Sequence, residues 1–310
     1  MGVTRREFGS LALGSLAGFA MSEANAAQTF PGATDCHVHI IGPRDKYPMV
    51  ANRPYTPPEA SVAQLKAMHA RLGISRTVLV QPSFYGTDNS CMLDALASLG
   101  PNARGVAVVA PNVADRTLRD LDAKGVRGIR INLESTGNRD PKAAAALLNA
   151  YAKKVAPLNW HIQIYAAAPV IGQLTGQIAD MTVPVVIDHF GMPNAAEGYN
   201  SKGFGAVVDL AHARKIYVKL SAPYRISKLP GYKDTTAMAQ TLIYAARDRM
   251  LWGSDWPHTQ QIPGHAAAEV TPFSRIDDMA VFNLFNSWYP DVMTRRMILV
   301  DNPAKLYRFA

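Results

Sequence analysis

The chain has 310 residues, of which 48% are hydrophobic, and carries a net charge of +8. That length holds one large domain or two small ones. Lys and Arg are scattered, with no run longer than two; this excludes a basic nucleic-acid-binding stripe and leaves solubility and attraction of anionic substrates as uses for the charge.

The stretch "TRREFGSLALGSLAGFAMSEANAAQ" pairs Arg5 and Arg6, continues through an apolar Leu11–Met21 segment and ends in small residues around Ala26 and Ala27. It resembles a twin-arginine export signal, which predicts residues 1–27 as a signal peptide, 28–310 as the mature domain, and a periplasmic location. The apolar part is too short and too rich in Gly and Ala to anchor the protein stably in a membrane. Cys36 and Cys91 make neither zinc spacing nor a CxxC pair. They read as two free, buried thiols, with one disulfide as the lesser alternative.

Eight short apolar runs follow: Ala33–Ile41, Thr77–Ser83, Arg104–Pro111, Gly125–Leu133, His161–Ala167, Val183–Gly191, Ile216–Ser221 and Met250–Asp255. Amphipathic stretches alternate with them, from "PEASVAQLKAMHARLG" to "DTTAMAQTLIYAARD". Alternating strand and helix predicts a parallel sheet, and eight repeats predict an α/β fold of the (β/α)8 TIM-barrel type. A doubly wound open sheet is the alternative, but the chain has no GxGxxG or Walker loop. The final "SWYPDVMTRRMILVDNPAKLYRF" reads as helices packing across the barrel.

Barrel strands are buried on both faces, so polar residues on them carry information. Period-two alternation places Asp35, His37 and His39 on one face of the first strand, with Gln81 and Ser83 on the second. Arg130 and Asn132 follow on the fourth, Gln163 and Tyr165 on the fifth, and His189 on the sixth. Lys219 and Ser221 on the seventh and Asp255 on the eighth complete the set, with Arg225 just beyond the seventh. Nearly all lie at C-terminal strand ends, the catalytic face of a barrel. Burying so many unpaired polar groups would cost about 1–3 kcal/mol each, which favours a functional pocket over a structural cluster. Asp35 reads equally well as a structural acceptor beneath the histidines. His161 starts its strand and reads as structural; His69, His212 and His265 read as surface residues.

"DCHVHI", "IDHFG", "WGSDWPH" and "NPAKLY" resemble the amidohydrolase superfamily over roughly residues 30–308. "QPSFYGTDNSCMLDAL" and "GVRGIRIN" are similar to its metal-independent lactonase branch, which acts on 2-pyrone-4,6-dicarboxylate and sugar-acid lactones. The resemblance implies a barrel, a lactone substrate and a centre built on His37, His39, His189 and Asp255. Binuclear members carry a strand-four Lys and a strand-five His, where this chain has Arg130 and Tyr165. A metal-free centre is therefore expected, because Arg130 would oppose a cation. Zinc on His37, His39 and Asp255 is the alternative.

Without metal, Asp255 would be the general base for water, and His37, His39 and His189 would donate to the developing oxyanion. Arg130 and Arg225 would grip a substrate carboxylate, helped by Ser83, Tyr165 and Tyr55. The expected substrate is a small anionic lactone: a pyrone dicarboxylate, a muconolactone or an aldarate lactone. Lactone isomerisation, a zinc-dependent hydrolase or decarboxylase, and a non-catalytic periplasmic solute-binding protein are the rival readings. Neither a nucleic-acid partner nor a particular oligomeric state is implied.

Overall fold

The computed structural model describes residues 30–134 and 140–310. The predicted export signal lies outside the described residues. Eight strands form one sheet in chain order: β1 Thr34–Val38, β2 Arg76–Val80, β3 Ala103–Ala107, β4 Val126–Asn132, β5 His161–Tyr165, β6 Val185–Ile187, β7 Ile216–Ser221 and β8 Met250–Gly253. Each pairs in parallel with the next. The ring closes where β1 meets the end of β8, through Asp255 N to His37 O and His39 N to Trp256 O, both 2.9 Å. This is the predicted (β/α)8 barrel.

Every predicted strand is present, and most stop earlier than expected. The run 183–191 shrinks to Val185–Ile187, and the run 77–83 stops at Val80. Ser83, His189 and Asp255 have left the ladder for the loops above it. Apolarity continues past the last paired residue because those loops are buried too.

The helices form where the sequence offers both an apolar stripe and caps. In α1, Val62–Leu72, Ser61 and Gln64 make a reciprocal capping box, and Gly73 ends the helix in the left-handed conformation. α2 Ser90–Leu99, α3 Asp115–Ala123 and α4 Pro141–Val155 follow, the last capped by Asp140 with Pro141 in its first turn. Two short helices come next, α5 Ala168–Gln173 and α6 Thr175–Ala179. Then come α7 Phe204–His212, α8 Pro223–Ile226, α9 Thr235–Ala246, α10 Asp278–Trp288, α11 Val292–Arg296 and α12 Asn302–Tyr307. No helix among the described residues is long and apolar enough to cross a membrane.

The core has two layers. Alternate strand residues such as Leu79, Ile129, Ile162 and Val218 pack outward against the helices. Val78, Val106, Val186, Tyr217 and Leu251 point into the barrel, where Leu306, Tyr307 and Phe309 of the C-terminal segment join them. That segment closes the N-terminal end, as expected of the terminal helices, with the Tyr307 ring edge-on to His161 at 5.2 Å. His161 is buried there, far from the loops and structural as predicted. It fits because residue 128 is glycine: a Cβ at that position would lie 2.3 Å from the imidazole.

Two sequence expectations fail around β1, the shared face of Asp35 with the histidines and the surface position of His69. The register of β1 with β2 shifts between Asp35 and Val38, and the extra residue lets Cys36 and His37 both face inward. Asp35 therefore leaves the face of His37 and His39. Its Oδ1 accepts from the backbone N–H groups of His37 at 3.1 Å and Ser254 at 2.9 Å. Its Oδ2 meets His69 Nε2 of α1 at 3.2 Å. Asp35 is thus the structural acceptor, and His69 is buried rather than on the surface. His212 and His265 are exposed as expected, and both cysteines are free and buried.

Candidate active site

A cavity of about 210 Å³ opens at the C-terminal end of the barrel. His39, Arg130, Tyr165, His189, Arg225 and Asp255 line it, with Ser83 and Tyr55 at its wall. The structure thus gathers every predicted site residue around one space except His37, which lies fully buried directly beneath. Gln81 turns away and donates to Asp88 O at 2.6 Å, holding the loop after β2.

Left-handed backbone delivers two of these groups. His189 has φ 51° and Asp255 has φ 64°, values that L residues rarely adopt. At the end of β6 this turn lets Asp188 and His189 both face the barrel axis, where simple alternation admits one.

Asp188 is the main residue that the alternation argument missed. Its carboxylate lies under the cavity floor, fully enclosed. Arg130 Nε and Gln163 Nε2 donate to Oδ2 at 3.2 and 3.0 Å. Oδ1 faces His37 Nδ1 at 3.3 Å and Lys219 Nζ at 3.5 Å. Lys219 also donates to Gln163 Oε1 at 2.7 Å. Burial pushes the Asp188 carboxyl up, but Lys219 and His37 pull it further down, and it stays well below the usual carboxylate range.

Above this floor, three imidazoles surround one oxygen. The Nε2 atoms of His37, His39 and His189 lie 3.7, 3.8 and 3.9 Å from Asp255 Oδ1. Oδ2 is committed elsewhere, to Arg225 Nε and the Tyr224 hydroxyl, each at 2.6 Å. Burial raises the Asp255 carboxyl, yet Arg225 and the imidazoles outweigh it and hold it well below its ordinary value. Burial lowers His39 and His189 to about 4, and lowers His37 too.

His39 Nδ1 lies 2.7 Å from Val80 O. A carbonyl only accepts, so the ring proton is on Nδ1 and Nε2 presents a lone pair. The neutral His39 therefore cannot donate to an oxyanion, which corrects the role expected for it. His189 Nδ1 pairs with Ser221 Oγ at 2.8 Å, a partner that can donate or accept.

A lone pair aimed at a carboxylate oxygen calls for a hydrogen-bond donor or a cation between them. Among the described residues, no hydrogen-bond partner meets the buried Asp255 Oδ1 or His37 Nε2. Ligand atoms of His37, His189 and Asp255 all fall within 4.8 Å of one another. Tetrahedral zinc ligands lie about 3.3–3.4 Å apart, so the three side chains would have to close on one another, by up to about 1.4 Å, to hold such an ion. His189 thus takes the place given to His39 in the ligand set expected from the sequence. The electrostatic objection to a cation also weakens, because Arg130 shares its charge with Asp188.

The buried imidazoles make stability depend on pH. Their folded pKa values are lowered, so between about 4 and the ordinary 6.5 the unfolded chain binds protons that the native state refuses. Stability should rise with pH across that window, by about 1.4 kcal/mol per pH unit for each proton involved. Urea unfolding of metal-stripped protein at pH 4.5, 5.5 and 7 measures the slope; equal stability at all three would contradict it.

The family profile described as Amidohydrolase matches residues 34–309. A 4-sulfomuconolactone hydrolase from Hydrogenophaga intermedia is 34% identical over 89% of each chain. A 2-pyrone-4,6-dicarboxylate hydrolase from Comamonas testosteroni is 33% identical, over 89% of this chain and 90% of that one. A solved structure from Acinetobacter baumannii, described as a candidate 2-pyrone-4,6-dicarboxylic acid hydrolase with citric acid bound, superposes with a TM-score of 0.77. It is 27% identical and covers 90% of this chain and 100% of its own. With its barrel, its HxH pair and its strand-eight Asp, this chain belongs to the amidohydrolase family and is an enzyme of the hydrolase type.

Proposed function

We propose that this enzyme opens a small anionic lactone by hydrolysis. The observation that carries the reading is one buried carboxylate oxygen, Asp255 Oδ1, ringed by three imidazoles under a cavity walled by Arg130 and Arg225. At about 210 Å³ the cavity is smaller than the ~300–1,000 Å³ typical of drug-sized ligands, which suits a single ring with one or two acid groups. The lactone hydrolases among the relatives and the citrate in the Acinetobacter structure support the same chemistry.

Arg130 stacks on Tyr165, with its guanidinium 5.0 Å from the ring centre, and presents its fork to the cavity. It grips the substrate's acid group, and Ser83, Tyr55 and Tyr165 orient the ring. Arg225 has a double task, since it lines the cavity and holds Asp255. Asp255 Oδ1 takes a proton from the attacking water and returns it to the ring oxygen as the acyl bond breaks. The site fits one zinc-like cation, which His37, His189 and Asp255 would hold with His39 beside them. When bound, it would polarise the carbonyl and acidify the water. The sequence-based preference for a metal-free centre gives way here to the clustered ligand atoms of His37, His189 and Asp255.

Residues 1–27 serve as the export signal in this reading, and the enzyme works in the periplasm. Changing Arg5 and Arg6 together to Lys should leave the precursor in the cytoplasm on fractionation; normal periplasmic accumulation would remove the assignment.

Carboxylated lactones should release acid with this enzyme, followed with a pH indicator. Asp255→Asn should lower kcat by about 10²–10⁴-fold. Elemental analysis should find about one divalent ion per chain, and prolonged chelation should abolish activity until metal is restored. Full activity of metal-free protein would discard the cation and leave the Asp255 role in place.

Arg130→Met should raise KM for an anionic lactone by about 30-fold or more, the equivalent of losing at least ~2 kcal/mol from a desolvated charge pair. A neutral lactone analogue should respond much less. Equal losses on both substrates would eliminate the clamp.

A further inference from the structure

Behind Asp255 lies a second row of hydrogen bonds that no step above uses. Tyr224, the second residue of α8, donates its hydroxyl to Asp255 Oδ2 at 2.6 Å. Burial pushes this phenol well above its ordinary pKa, so it keeps its proton. Its oxygen lies 3.3 Å from His258 Nδ1, and the two rings meet edge to face at 5.5 Å. His258 Nε2 lies 2.9 Å from Asp278 Oδ1. Asp278 is the first residue of α10, and its side chain is 15% exposed against 6% for His258. The row thus runs from the reacting carboxylate to the protein surface through three side chains on three different segments.

The backbone is bent to make it. Asp255 and His258 both adopt left-handed φ, 64° and 65°, and His258 N–H closes the turn on Asp255 C=O at 2.9 Å. Such conformations cost free energy for residues with a side chain and persist where the surroundings enforce them. One strained turn aims Asp255 into the cavity and His258 the other way, toward Asp278. Packing alone would not require a polar partner at every link.

We propose that Tyr224, His258 and Asp278 are positioning residues for Asp255. Tyr224 and Arg225 occupy Oδ2, so that Oδ1 alone faces the reacting water. Asp278 fixes the His258 ring, His258 fixes the Tyr224 hydroxyl, and Tyr224 fixes the carboxylate plane. The proposal rests on Asp255 as the proton-transferring group.

A double-mutant cycle tests it. Tyr224→Phe removes one hydrogen bond to a charged group and should lower kcat about 10- to 100-fold, with KM for a carboxylated lactone within about threefold of the parent. His258→Ala should lower kcat as well, and His258→Asn, which keeps a polar group near Nδ1, should recover part of the loss. Because His258 acts through the phenol, the Tyr224→Phe/His258→Ala pair should be no slower than Tyr224→Phe alone. Unchanged kcat in Tyr224→Phe, or losses that multiply in the pair, would overturn the proposal. If His258→Ala fails to give a cooperative melt, Asp278→Ala takes its place in the cycle with the same two outcomes. Full activity of Asp255→Asn would instead defeat the reading on which the row depends. An inactive Asp255→Asn with multiplying losses defeats the positioning row alone.

Discussion

A single carboxylate, Asp188, holds a negative charge near the axis of the barrel, and only protein solvates it. Groups from five strands or their ends meet there: His37 after β1's register shift, Arg130 of β4, Gln163 of β5, Asp188 itself after β6 and Lys219 of β7. An isolated charge at that depth would be costly, and removing one partner from such a group typically costs about 3–5 kcal/mol. The net worth of the whole group is small by comparison, because each ion also gave up water. What it supplies is position. His37 and Arg130, to which the proposed function gives the chemistry and the substrate's charge, are both fixed from below by the same anion.

The two sides of the site then divide the labour by charge. Beneath, cations and an anion balance in a closed space. Above, the guanidinium of Arg225 draws Asp255 Oδ2 aside and leaves Oδ1 among three neutral rings. Burial keeps those rings neutral in ordinary buffer. A lone pair such as that on His39 Nε2 is available only in this state, so burial contributes directly to what the imidazoles can do.

Much of this was legible in the sequence. Strands buried on both faces leave unbroken apolar runs, and helices announce themselves by caps such as Ser61 with Gln64. Polar residues at strand ends pointed to the right face of the barrel and to most of the residues now found around the cavity. What alternation could not supply was any departure from alternation. The register shift in β1 and the left-handed turn at His189 each place two consecutive residues inward, and neither position is a glycine that would advertise it. Asp188 was hidden by that turn, although a charge ending the run "VPVVID" was itself a signal. His69 was recoverable: Leu65, Met68, His69 and Leu72 recur at helical spacing, and all four are buried. Tyr224 and His258 lie in loops and a one-turn helix, where side-chain direction has no period to read.

The closed lower end of the barrel bears on how the chain is assembled. Tyr307 and its neighbours fill the axis between strands that were all synthesised before them. Asn302 ties the same segment to the start of β8 through Met250 O at 2.8 Å. Without residues 302–309, Val78, Val106 and Leu251 would lose the apolar side chains that cover them in the barrel interior. Burial of the barrel interior thus depends on the last residues of the described chain, a long-range contact of the kind that leaves apolar surface exposed until it is made.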